Sequence, residues 1–85
     1  MPTPADFVEA RPINGHLTHA ILNTPRNFYR TAPWLLITYN RALCGVGRGG
    51  MKVRLDEERE PIPWRGIDGC DTCHKKMRTI KQQPA

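Results

Sequence analysis

Three cysteines and three histidines are the residues of this chain best suited by type and spacing to do chemistry. Cys70 and Cys73 stand three apart in "GCDTCHKK", with His74 directly behind them. A pair so spaced can clamp a zinc ion, carry a thioether-linked haem, or cycle as a redox couple. Zinc takes four ligands in a tetrahedron, and one turn presents two sulfurs to the same ion. The remaining thiol, Cys44, lies in "ALCGVG". A glycine after a ligand cysteine suits a tight turn whose N–H groups point at the sulfur and spread its charge. The fourth ligand is expected to be a histidine. His16 and His19 fall in one predicted strand, three apart, so strand alternation sends them to opposite faces and only one can bind. His19 is favoured, and the choice between the two stays open. His74 is disfavoured because Cys73 beside it already points at the ion; it is free to offer a surface imidazole to a partner.

The rival chemistries fit less well. "CDTCH" matches the haem attachment string literally, but haem leaves Cys44 unexplained and usually accompanies export. "MPTPADFVEARPING" reads as neither a secretory signal nor a membrane anchor. A redox pair belongs beside a βαβ pattern, for which this sequence is too short and too irregular. The odd cysteine count argues against a full disulfide framework and suits a reducing, cytoplasmic setting.

The ligands need elements to hold them, and 85 residues with 39% apolar content make one small domain. A core of that size commonly needs a metal, disulfides or a partner. No run of apolar residues is long enough to span a membrane. Residues 1–15, with Pro2, Pro4 and Pro12, are expected to form an extended or disordered arm, with a helical turn near "ADFVEA" at most. Residues 16–82 form the single zinc-binding domain, and 83–85 a disordered tail. Within the domain, "HLTHAIL" (16–22), "WLLITYN" (34–40) and "MKVRL" (51–55) read as strands. The segment 23–33 reads as a loop, and "CGVGRGG" as a turn. "DTCHKKMRTIKQQ" is helix-compatible, with Met77 and Ile80 on one face. The expected fold is therefore a small zinc-stabilised α+β domain, a short antiparallel sheet closed by a C-terminal helix in the manner of a treble clef or zinc ribbon. Trp34, Leu36, Tyr39, Met51, Val53, Leu55, Trp64 and Ile67 are its candidate core, with Trp64 covering the metal side.

The order "THA", "ALCG" and "CDTC" in a short basic chain resembles small one-histidine, three-cysteine zinc-binding proteins of actinobacteria and their phages. The resemblance spans roughly residues 16–80. It implies a structural Zn2+ held by His19, Cys44, Cys70 and Cys73, between a first strand, a Cys-Gly turn and a pair opening a basic helix. It implies no defined activity.

Charge frames the function. The net charge is +5, and basic stretches on either side flank the acidic run "DEERE" at 56–60. Catalytic zinc keeps an open position beside a general base. Here a fourth ligand is at hand and the acids sit in a run that is more often solvated, so no enzyme and no small-molecule substrate is expected. Two classes of partner remain. The favoured one is a host protein met by a phage-encoded factor. It would dock on the loop bearing Arg26, Phe28, Tyr29, Arg30 and Trp34, whose aromatic and arginine content suits an interface hot spot. The alternative is a nucleic acid, contacted by Arg48, Lys52, Arg54, Lys75, Lys76, Arg78 and Lys81. The bland reading of the same charges is a solvated surface.

Overall fold

The computed structural model of the chain describes residues 3–13, 15–47 and 49–82. Its strands are β1 (Phe7–Pro12), β2 (His19–Leu22), β3 (Phe28–Ala32), β4 (Leu35–Thr38) and β5 (Met51–Val53), followed by the helix α1 (Asp71–Gln82). The strands form one sheet in the order β2-β1-β5-β4-β3, and every pairing in it is antiparallel. This is a small α+β domain with a C-terminal helix, as the sequence predicts, although the sheet has five strands where three were expected.

The largest departure is at the start of the chain. Residues 7–12, expected within an extended or disordered arm, are β1, paired with β2 on one side and β5 on the other. Phe7, Val8 and Ala10 are buried, and so is Glu9. Apolar residues on both faces are what an inner strand needs, and Pro12 sits at its end, where a missing N–H costs least. The second departure is β3, which occupies the expected loop between Pro25 and Pro33. It turns back into β4 through Pro33 and Trp34, with a bulge between Arg30 and Ala32. Trp34, at the turn, is 71% exposed and outside the core. Tyr39 and Ile67 are likewise exposed, whereas Leu36, Met51 and Val53 are buried as expected and Leu55 and Trp64 pack against the core.

Register fixes what each face carries. Leu36, Val53, Ala10 and His19 lie in one cross-strand row, and Phe28, Thr38, Met51 and Pro12 in the next. Most of these side chains are buried, so this is the core face over β4 and β5. After β5 the chain makes a hairpin whose tip is the acidic run. Asp56 Oδ1 accepts the N–H groups of Glu58 and Glu60, and Leu55 bridges Pro61. The returning "PIPW" then lies along β1, with Glu9 N–H donating to Ile62 and Trp64 N–H to Phe7.

α1 begins at Asp71, an acid placed where the helix dipole favours negative charge. Cys73 and Met77 are buried and Ile80 packs against the core, one stripe at helical spacing. Lys75, Lys76 and Arg78 are exposed.

Candidate metal centre

The four donors come from three elements that meet at the free edge of β2. His19 opens that strand. Cys44 sits in the turn between β4 and β5, which is tied to the strand by Leu43 N–H donating to Ala20 O. Cys70 immediately precedes α1, held by its N–H donating to Thr18 O, and Cys73 lies in the first turn of the helix. The backbone of β2, with Thr18 just before it, therefore anchors both the turn and the approach to the helix, and the side chains follow. Gly45, with φ of +91°, allows the tight turn after Cys44, where its N–H donates to Ala42 O.

The sulfurs of Cys44, Cys70 and Cys73 and a ring nitrogen of His19 all lie within 4.8 Å of one another. Cys44 Sγ is 3.3 Å and Cys73 Sγ 3.7 Å from His19 Nδ1. A tetrahedral zinc site, with Zn–S near 2.3 Å and Zn–N near 2.0 Å, has edges of roughly 3.5–3.8 Å. The two separations from His19 bracket the sulfur–nitrogen edge and all four donors lie within 4.8 Å, so the residues are placed to hold a tetrahedral ion. Two backbone donors spread the sulfur charge, Ala20 N–H toward Cys73 Sγ at 3.4 Å and Cys73 N–H toward Cys70 Sγ at 3.3 Å. No disulfide joins the three thiols.

Burial sets the protonation of these groups when no ion is present. It pushes the Cys73 thiol up to about 12, against the Ala20 N–H that pulls it down. Burial also raises Cys70, but hydrogen bonds led by the Cys73 N–H outweigh it and hold this thiol below its ordinary value. Desolvation lowers His19 below 6.5, which keeps the imidazole neutral and able to ligate. An ion at the site would reverse the thiol tendency, since a coordinating thiol is deprotonated outright.

His19 is the histidine that meets the cysteines, and His16 is exposed. His74 is neither a ligand nor a free surface imidazole. Its Nε2 lies 3.0 Å from Gly66 O and its ring packs edge-on against Trp64 at 5.3 Å. A Cβ on Gly69 would come within 2.6 Å of that nitrogen and 2.7 Å of the Trp64 ring, so glycine is required at this turn for packing. Trp64 thus covers the turn leading into Cys70.

The other candidate residues are dispersed. Phe28 and Arg30 share the core face of β3 by register while Tyr29 faces the opposite way, so the strand divides the expected docking loop. Arg30 donates to the carbonyls of Pro33 and Arg59, and Arg26 is exposed in the turn before β3. Lys52 is exposed, but Arg54 is half-buried 3.7 Å from the Glu9 carboxylate. Arg48 lies outside the described residues, and Lys81 is placed in α1 by its backbone.

Sequence reasoning missed Glu9, whose side chain is fully buried. Its Oε2 accepts the Arg65 N–H at 3.1 Å, and its Oε1 faces the guanidiniums of Arg54 and Arg65 at 3.7 and 3.6 Å. No local pattern in "DFVEARP" announces a buried acid, because both cations arrive from the distant hairpin.

Fold and centre together define a small α+β domain with a one-histidine, three-cysteine site placed to hold a metal ion. Comparison with protein-family models, with curated proteins and with solved structures finds no match.

Proposed function

We propose that this chain is a zinc-stabilised binding module. Zn2+, held by His19, Cys44, Cys70 and Cys73, is structural, and the rest of the molecule presents a surface to a partner. The observation that carries this reading is the convergence of three thiols and one imidazole from β2, a turn and α1 within 4.8 Å. Sulfur-rich donor sets select zinc over harder divalent ions. When bound, the ion supplies a cross-link between the sheet edge and the helix. Four protein donors fill a tetrahedron and leave no position for a reactive water, which separates a structural site from a catalytic one.

A host-protein partner docking through residues 26–34 is less favoured, because Phe28 and Arg30 point away from Tyr29 and Arg30 is engaged with two carbonyls. Cobalt substitution tests the ligand set. Co2+-loaded protein is expected to show the intense visible bands and sulfur charge-transfer absorption of a tetrahedral thiolate site; the charge-transfer absorption weakens in Cys44→Ser, the visible bands shift in His19→Ala as the imidazole is replaced, and neither changes in His16→Ala. A weak octahedral spectrum would rule the ligand set out.

A further inference from the structure

Tyr29, Ile37, Lys52 and Arg11 form a single row across β3, β4, β5 and β1. The row lies on the face opposite Leu36, Thr38, Met51 and Val53. Tyr29 is 53% exposed and its ring meets that of Tyr39, 64% exposed, with centroids 5.9 Å apart. Two neighbouring exposed aromatic rings are more than a solvated strand face needs.

Charge is sorted between the two faces. Lys52 is exposed and makes no ion pair among the described residues, and Arg11 lies 3.8 Å from the exposed Asp68 while its Nε donates to Thr18 Oγ1 at 3.2 Å. Two residues along β1, Glu9 shares its one negative charge between the guanidiniums of Arg54 and Arg65, so that corner is net positive. The return arm of the acidic hairpin reaches the other face. There Glu60 and Pro61 line a cleft of about 360 Å³ with Phe28, Arg30 and Leu36, and Arg30 donates to Arg59 O. Glu60 is thus turned toward that cleft, away from the tyrosines.

We propose that the tyrosine face of the sheet binds single-stranded nucleic acid. Bases stack on Tyr29 and Tyr39, and phosphates follow Lys52, Arg11 and the Arg54–Arg65 corner. Every unpaired base offers a π-face to an aromatic ring, and a basic track beside the rings neutralises the backbone. A duplex hides those faces, which is why the ligand is single-stranded. A protein partner would match the rings but leave the excess of positive charge beside them unexplained. This proposal rests on the reading of the chain as a binding module and names its partner.

Fluorescence anisotropy of zinc-loaded protein with a labelled oligo(dT) and oligo(U) at low salt tests it. Tyr29→Ala and Tyr39→Ala are each expected to weaken binding by between about fivefold and about a hundredfold, the range of one lost base stack. Tyr39→Phe keeps the affinity. Lys52→Ala lowers the salt slope by about 0.7, and Glu58→Gln on the hairpin tip changes nothing. Absence of binding, or binding that is indifferent to both tyrosines or as strong for a duplex, overturns the proposal. So does a purified protein partner that binds this face while the oligonucleotides do not. Zinc content of the same samples separates the two readings. Tyrosine-independent binding by zinc-loaded protein removes the nucleic-acid face alone, and tyrosine-dependent binding by folded, zinc-free protein removes the metal centre alone.

Discussion

Cys73 is the donor on which the centre turns. It is fully buried, accepts the Ala20 N–H and sits in the first turn of α1, so its sulfur links sheet edge to helix. With its thiol pushed up to about 12, an arriving ion must displace a proton from it. Metal uptake at neutral pH is therefore expected to release protons, seen as a buffer-dependent heat in titration calorimetry, and affinity should fall steadily as pH is lowered. In the metal-free chain the raised Cys73 contributes stability below its unfolded value, near 8.5, and loses it as pH climbs toward 12. The lowered His19 works in the other direction, its contribution complete above 6.5 and lost as pH falls below that value. Heats that are independent of the buffer would contradict this protonation scheme. The four candidate donors were named in the sequence from the cysteine spacing and the Cys-Gly turn, which are local signals; the choice between His16 and His19 was not legible, because β2 begins at His19 and strand alternation does not relate the two. The roles of His74 and Glu9 were not, since each depends on groups brought in by the hairpin and the turn at 66–69.

At the scale of elements, β1 is the strand that joins the metal edge to the rest of the sheet. It pairs with β2, which carries His19, and with β5, and it also takes the returning chain at 62–64. Removal of residues 1–12 is expected to abolish folding even with excess zinc, measured by loss of near-ultraviolet dichroism and of dispersed amide resonances. Glu9→Gln is the milder probe of the same strand. It leaves Arg54 and Arg65 facing a neutral group, and because both guanidiniums reach solvent the cost is expected to be about 1–3 kcal/mol in denaturant unfolding. Retention of native stability by the truncated chain would return this segment to the status of an arm. β4, β5 and α1 were readable because alternation and helical spacing are regular there, as in Met51, Lys52 and Val53 or Cys73 and Met77. β1 and β3 were not, because prolines at 4, 12, 25 and 33 resemble loop punctuation. In the sheet, Pro12 lies at a strand end, Pro25 opens the turn before β3 and Pro33 sits in the turn after it.

At the scale of the molecule, a chain of 85 residues with a thin core depends on what ties its edges together. The sheet supplies one core face, and the helix touches the sheet mainly at β2, beside the four donors. A structural zinc worth on the order of 10 kcal/mol exceeds the few that so small a core contributes. The ion would then hold α1 in place and, through β2 and β1, the register of the open tyrosine face. Elemental analysis of natively purified protein, paired with thermal unfolding in a strong chelator, addresses this most directly. The account predicts one zinc per chain and loss of the cooperative transition once the zinc is removed. A metal-free protein that unfolds cooperatively at the same Tm with and without chelator would contradict it.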